Sequence, residues 1–375
     1  MSNHVTLSVV IPAFNESRTL ALCVANVLAI ADASLVLEII IVDDGSMDNS
    51  LVIAQDLARQ HPQISVIAQP VNRGKGAALR EGFRKATGDL VAVQDADLEY
   101  DPADLKRLLD PLIAGKADVV LGSRFLSSGT HRVLYFWHSV ANRILTLLSN
   151  MFTDLNLTDM ETGYKVFRRE AIQRIAIEEN RFGVEPEVVA KMARQRLRIY
   201  ETGISYHGRT YAEGKKIRLK DGFRALYSIV RYNAHWAPWP MQLAAYGFIG
   251  SAAAAVNWCL FMGLLAIGWD VRLAAPGAFV AAAWVNYALC VSLLFRHAVR
   301  WAPVGELVLF LLVVAAIGTV DWVTTTSLVG AGIAPGNAKL LATGVGFLLN
   351  FAGRRWIVFP EPSPQPWRPR DADRA

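Results

Sequence analysis

Cysteine is scarce in this chain: three in 375 residues, at Cys23, Cys259 and Cys290. None forms a CxxC pair and two lie in apolar runs, so neither a disulfide framework nor a thiolate zinc site is expected. The thiols fit small apolar filler in a reducing compartment. Charge is also sparse, at 19% Asp, Glu, Lys and Arg against 53% hydrophobic residues. That is too apolar for a soluble protein of this length and too charged for a purely membrane chain. Met1-Ser2-Asn3-His4 lacks a charged n-region and leads into a short strand, so no signal peptide is expected and the first domain should stay in the cytoplasm. The net charge is +5 and the isoelectric point about 9.1, yet no basic stripe with interleaved aromatics occurs, which argues against a nucleic-acid partner. The cations gather instead between Lys191 and Arg231, just ahead of the apolar runs, where anionic lipid head groups would attract them.

The composition is split. Residues 1–235 alternate short β-branched runs with helical spacing: Leu7 to Ile11, Glu38 to Val42, Ile64 to Ile67, Leu90 to Val93 and Asp118 to Leu121 read as strands. Ser17 to Ile30, Asp48 to Arg59, Lys75 to Thr87 and Pro102 to Ala114 read as helices, the last with Asp101 as N-cap and Pro102 at N1. That alternation implies an α/β domain with a mostly parallel, Rossmann-like sheet, whose ligands sit beyond the carboxyl ends of the strands. Residues 133–152 mix aromatic and aliphatic residues with His138, Asn142 and Arg143; the pattern suits either a helix on the core or one lying at a membrane surface.

Residues 236–359 carry four apolar runs, at about 241–268, 273–295, 304–329 and 335–353. Each is long enough to cross a bilayer, so an all-α, four-helix transmembrane domain is expected. Arg296 and Arg300 follow the second run and Arg354 and Arg355 the fourth, while the loop from Gly330 to Asn337 is uncharged. By the positive-inside rule both termini are cytoplasmic. Asp321 is an acid deep within the third run, suited either to function or to a packing hydrogen bond. Residues 360–375, rich in Pro and Arg, are expected to be disordered.

Chemistry concentrates in Gln94-Asp95-Ala96-Asp97-Leu98-Glu99, directly after the apolar run 90–93. Carboxylates at i and i+2 on a segment leaving a strand offer hard oxygen ligands to Mg²⁺ or Mn²⁺ and leave room for a diphosphate. Other strand ends carry Val10-Ile11-Pro12-Ala13-Phe14-Asn15-Glu16 and Val42-Asp43-Asp44-Gly45-Ser46-Met47-Asp48. Ala13, Phe14 and Glu16 could face a base and ribose, although Phe14 also suits core packing. Asp44 could accept from a base N–H or ribose hydroxyl, or simply close an Asx turn. Asn72-Arg73-Gly74-Lys75-Gly76 precedes a helix, where two glycines permit close backbone approach and the helix N-terminus favours anions.

In that order these motifs resemble the family-2 glycosyltransferases of the GT-A fold, and within them the polyprenyl-phosphate branch of dolichyl-phosphate mannose and glucose synthases and bactoprenol glucosyltransferases. Gly122-Ser123-Arg124, Asp159-Met160-Glu161-Thr162-Gly163-Tyr164-Lys165 and Ser205-Tyr206-His207-Gly208-Arg209 extend the resemblance over about residues 5–232. Residues 241–359 resemble the four-helix GtrA-like membrane family by helix count and placement.

The resemblance implies hexose transfer, glucose or mannose, from UDP-glucose or GDP-mannose to a polyprenyl phosphate. The reaction would invert the anomeric centre at the cytoplasmic face of the membrane. It implies donor contacts at Pro12, Ala13, Phe14, Glu16, Asp44, Lys75 and Asp95, with Mg²⁺ or Mn²⁺ on Asp95, Asp97 and Glu99. Glu99 stands where the related mannose synthases often have Gln. A phosphate monoester is already an oxyanion at neutral pH and needs countercharge in place of a general base. Arg124 and Arg209 lie inside matched motifs and Arg143 outside them; all are candidates to hold the acceptor phosphate, with Asp97, Arg124 and Arg209 the expected catalytic set. Lys215, Lys216, Arg218 and Lys220 serve either the same purpose or membrane contact. A processive polysaccharide synthase would carry Gln-x-x-Arg-Trp before its membrane helices, and none is present. A lipid-sugar translocator is the other alternative. Homo-oligomerisation stays open.

Overall fold

The computed structural model describes residues 4–126, 132–133, 135–208, 219–295 and 303–358. They divide into two compact units between Trp236 and Ala237.

The first unit is built on seven strands: β1 (Val5–Ala13), β2 (Leu35–Asp43), β3 (Ile64–Ala68), β4 (Leu90–Val93), β5 (Val119–Ser123), β6 (Lys165–Arg168) and β7 (Ile199–Gly203). Their order across the sheet is β3-β2-β1-β4-β6-β5-β7. β1 pairs in parallel with β2 and β4, β2 with β3, and β5 with β7. β6 alone runs antiparallel, between β4 and β5. The parallel strands read as continuous aliphatic runs because both faces are covered. Leu7, Val9 and Ile11 of β1 and Ile39 and Ile41 of β2 are fully buried on the face that takes α1 (Leu20–Leu28).

The remaining helices of this unit are α2 (Ser50–Gln60), α3 (Lys75–Lys85), α4 (Asp104–Ile113), α5 (Phe136–Thr153), α6 (Arg169–Gln173), α7 (Val184–Arg194) and α8 (Leu219–Asn233). α4 begins two residues later than the Pro102 start expected. Asp101 still caps, but it caps the preceding turn: its Oδ1 accepts from Ala103 N at 2.9 Å and its carbonyl from Asp104 N at 3.0 Å.

α5 covers most of residues 133–152. It buries Asn142, Thr146, Ser149 and Phe152, while Phe136, Trp137, Ile144, Leu147 and Met151 face outward. Thr146 Oγ1 accepts from Met160 N at 3.1 Å, so a polar stripe meets the domain and an apolar face is exposed.

The second unit consists of α9 (Trp239–Ala266), α10 (Val271–Leu289), α11 (Pro303–Gly330) and α12 (Pro335–Gly353). π-Helical turns continue α10 over Cys290–Phe295 and α12 over Arg354–Val358. α9 packs on α10 and α11 on α12. Tyr246 of α9 lies 5.3 Å from Phe347 of α12, and Tyr287 of α10 lies 5.2 Å from Phe310 of α11, which closes a four-helix bundle. Among the described residues one helix, α9, is long and apolar enough to cross a bilayer; the apolar stretches Val280–Ser292 and Val308–Ile317 are shorter. Arg296, Arg300 and the expected tail lie outside the described residues, as does the side chain of Asp321 on α11.

Candidate active site

The tips of β1, β2 and β4 share the carboxyl edge of the sheet. Backbone bonds from Asp44 N to Ala13 O at 2.8 Å and from Gln94 N to Val10 O at 3.0 Å hold these tips side by side. After β1, Asn15 takes a left-handed conformation (φ 53°), a strained geometry that Asn tolerates better than most residues. It donates through its backbone to Ser46 Oγ at 3.0 Å and accepts on Oδ1 from Met47 N at 2.8 Å. Glu16 N donates to Ser50 Oγ at 2.8 Å. Pro12, Ala13, Phe14 and Glu16 are therefore fixed against the β2 turn; Ala13 is buried, and Pro12, Phe14 and Glu16 are half-buried at the edge.

Asp44 is buried and spans to the glycine loop. Its carboxylate accepts from Arg73 N at 2.8 Å, Gly74 N at 2.7 Å and Asn72 Nδ2 at 3.0 Å. It thus shapes the loop that opens α3. Its neighbour Asp43 accepts from Ser46 N at 3.0 Å on Oδ2, and its Oδ1 is buried without a hydrogen-bond partner.

Lys75 begins α3 and turns inward. Its Nζ lies 2.9 Å from Asp95 Oδ1, 3.1 Å from Asp95 Oδ2 and 3.1 Å from Glu185 Oε1. Burial opposes the charge on Lys75, but Asp95 and Glu185 outweigh it and raise the ammonium pKa far above its usual range. Glu185 Oε2 has no hydrogen-bond partner. A small cavity beside the pair is lined by Lys75, Gly163, Lys165 and Glu185 with apolar residues of α3 and α7. Gly163 is required here: a Cβ at that position would stand 2.4 Å from Asp95 Oδ2.

The acid turn leaves β4 through Leu98 in the left-handed region (φ 62°). Asp97 Oδ1 accepts from Glu99 N at 3.1 Å. Glu99 Oε2 accepts from Tyr206 OH at 2.9 Å, and Glu99 O accepts from His207 N at 2.8 Å. Tyr100 stacks on Tyr164 at 4.6 Å and leans on Tyr206 at 5.3 Å. Burial, then the Glu99 carboxylate, pushes the Tyr206 phenol well above its ordinary range.

Two expected roles meet other contacts in this structure. The first is a single cluster of Asp95, Asp97 and Glu99: among the described residues no group of three His, Cys, Asp or Glu side chains is placed to hold a metal. Lys75 takes Asp95 and Tyr206 takes Glu99. The donor set still suits a hard cation. Asp95 and Asp97 are only partly covered carboxylates on one turn, and Mg²⁺ is commonly held by one or two carboxylates completed by substrate phosphates and water. The second is Arg124 as countercharge to the acceptor phosphate. Its Nε and Nη2 each lie 2.7 Å from the Asp159 carboxylate, and both side chains are buried. Burial opposes the guanidinium charge, but Asp159 holds it firmly. Arg124 also lies over the Tyr206 ring at 5.2 Å, so it braces the turn. Arg143 is exposed on α5, 5.8 Å over the Phe125 ring. Arg209, Lys215, Lys216 and Arg218 fall outside the described residues, as does the side chain of Lys220.

Glu185, Asp159, Gly163 and Tyr206 are placed by the fold. Three belong to motifs noted in the sequence; Glu185, in the first turn of α7, belongs to none.

Residues 8–176 match the family model for glycosyl transferase family 2, and residues 245–359 match the GtrA/DPMS transmembrane domain. An undecaprenyl-phosphate mannosyltransferase of Micrococcus luteus is 30% identical over 218 residues, 55% of this chain and 85% of that one. The dolichol-phosphate mannosyltransferase of Pyrococcus furiosus is 23% identical over 356 residues, 94% of this chain and 97% of that one. The low-salt glycan biosynthesis hexosyltransferase Agl6 of Haloferax volcanii is 30% identical over 222 residues, and the match spans about half of its length: 58% of this chain and 52% of that one.

Proposed function

Since the chain belongs to glycosyl transferase family 2 and carries a GtrA/DPMS transmembrane domain, we propose that it transfers a hexose from a sugar nucleotide to a polyprenyl phosphate at the cytoplasmic face of the membrane. The observation that carries this reading is Lys75, charged and enclosed between Asp95 and Glu185 where α3 begins beside the acid turn. A helix N-terminus with an inward lysine suits a diphosphate, and the adjacent carboxylates suit its counter-cation. A divalent cation bound by Asp97 and Asp95 would supply neutralisation of the leaving diphosphate.

The protein's own residues set the rest. The β1 and β2 tips offer Phe14, Glu16 and the Asp44-shaped loop to the nucleoside. Gly163 leaves the Asp95 carboxylate room, and the Tyr100–Tyr164–Tyr206 group walls the site. The acceptor phosphate is already ionised, so its oxygen attacks the anomeric carbon without proton transfer to a side chain. The new C–O bond forms as the bond to the nucleoside diphosphate breaks on the opposite face, with inversion. With Arg124 committed to Asp159, Arg143 and the Arg209 segment are the countercharges to the acceptor. The outward apolar face of α5 suits head-group depth, and the four helices of the second unit anchor the chain as a multi-pass protein.

The test incubates the purified protein with UDP-glucose or GDP-mannose, Mg²⁺ or Mn²⁺, and undecaprenyl or dolichyl phosphate. Lipid-linked hexose and free nucleoside diphosphate should form in equal amounts, and NMR should find the anomer opposite to the donor's. A retained anomer would exclude direct displacement; no lipid product with any pair would exclude the reading.

A further inference from the structure

Residues 176–183, between α6 and α7, are gripped more firmly than a surface connection needs. Arg80 of α3 donates to the carbonyls of Ile177 at 2.7 Å, Glu178 at 3.1 Å and Glu179 at 3.3 Å, and to Asn180 Oδ1 at 3.0 Å. Glu187 of α7 accepts from Glu178 N at 2.6 Å and Glu179 N at 2.8 Å. The backbone so held is the seat of the glycine loop. A Cβ on Gly74 would meet Asn180 O at 2.4 Å, and one on Gly76 would meet Glu179 O at 2.2 Å. Ala77 N donates to Asn180 O at 3.1 Å.

The side chain of Glu179 leads the other way. It is 3% exposed and accepts from Arg224 Nε at 3.0 Å, Arg224 Nη2 at 2.6 Å and Tyr232 OH at 3.2 Å. Both partners lie on α8, the helix that ends just ahead of the second unit.

We propose that Glu179 is a positioning residue that couples α8 to the loop carrying Lys75: its carboxylate grips α8 while its carbonyl seats Gly76. A buried carboxylate is costly to leave unpaired, so it moves with its partners. The glycine seats are too close-packed to absorb that movement. The coupling is reciprocal: whatever fixes α8 tightens the donor, and the donor steadies α8. A lipid surface has a handle on α8 in Phe223, Leu226 and Tyr227, all exposed. This inference rests on the reading of the Lys75 loop as the donor diphosphate site.

The test uses the full chain in phosphatidylcholine–phosphatidylglycerol nanodiscs, with UDP-glucose and GDP-mannose as probes and Mg²⁺ present. Arg224→Ala and Tyr232→Phe loosen the grip without touching the glycine loop. Each should raise donor Kd and KM about three- to ten-fold while kcat holds. Hydrogen exchange should quicken at residues 74–80 and stay unchanged in α2. Arg224→Lys, which keeps one ion pair, should recover part of the affinity. Unchanged donor Kd and unchanged exchange at 74–80 in both variants would overturn the coupling. So would exchange that rises evenly across the domain in Tyr232→Phe, which deletes a single hydroxyl. A wild-type chain that binds neither probe would overturn the donor-site reading itself, and this inference with it.

Discussion

Lys75 Nζ stands between the carboxylates of Asp95 and Glu185, 2.9 Å and 3.1 Å away, so one ammonium ties the tip of β4 to α7. Burial makes that pairing sensitive to any change in the number of charges. Lys75→Met should leave two enclosed carboxylates facing each other and lower both donor affinity and stability; Lys75→Arg should recover stability better than activity, because a planar fork does not replace a point charge. Calorimetric donor titration beside a thermal melt separates the two effects.

Asp97→Ala should cut transfer by about 100-fold or more, since it removes countercharge from the leaving diphosphate. Circular dichroism should be unchanged, because Asp97 is partly exposed and accepts from Glu99 N within its own turn. Excess EDTA should mimic the variant in the wild type. Full activity in either case would remove the acid turn from the mechanism.

Gly163→Ala tests the geometry of the same turn. The added methyl falls 2.4 Å from Asp95 Oδ2, so the carboxylate or the Gly163 backbone must shift. A displacement near 1 Å at a reacting site can cost about 100-fold. A kcat/KM loss of about ten-fold or more is expected, and donor titration would show whether Asp95 has moved.

Arg124 and Arg143 should separate cleanly. Arg124→Ala leaves Asp159 buried and unpaired, a loss on the order of 3–5 kcal/mol, read as a lower denaturation midpoint. Arg143→Ala, exposed on α5, should leave stability within about 0.5 kcal/mol. It should raise KM for the lipid acceptor and leave KM for the donor unchanged.

Glu161 should govern part of the pH profile of stability. Burial, then the nearby Glu185, pushes its carboxyl from 4.5 up to about 8. The folded chain keeps this proton while the unfolded chain releases it, so the group's contribution is full below about pH 4.5 and is lost as pH rises to about 8. Lys165 has the opposite sense: burial lowers it from 10.5 to about 8, so losing its proton favours the folded state as pH rises above 8. Glu161→Gln should flatten urea-derived stability between pH 4.5 and 8. A slope there equal to wild type would show that Glu161 is ionised in the folded chain.

Much of this was legible in the chain. The aliphatic runs from Leu7, Glu38, Ile64 and Leu90, each ended by a turn signal, place the parallel strands and bring Ala13, Asp44 and Asp95 to one edge. β6 was not legible, because Lys165–Arg168 is four residues long with a charge at each end, and its strand character comes from the two neighbours it pairs with. The Arg124–Asp159 pair was hidden for a similar reason: which acid meets which base over a separation of 35 residues is decided by packing. α5 carries apolar residues on most of its surface, so periodicity alone could not say that Asn142, Thr146 and Ser149 would be the buried stripe.

The reversed strand also sets an order of assembly. β5 finds no place beside β4 until β6, made some forty residues later, has entered between them. Loop closure does not rank the two halves, since β1 meets β4 through Leu7 and Leu90 much as β5 meets β7 through Val119 and Ile199; what holds back the half with Arg124 and Tyr206 is its dependence on β6. Pulse-labelled exchange during refolding should find β1, β2 and β4 protected before β5 and β7. A proline at Val166, which cannot supply the ladder N–H, should arrest the chain at that half-built stage.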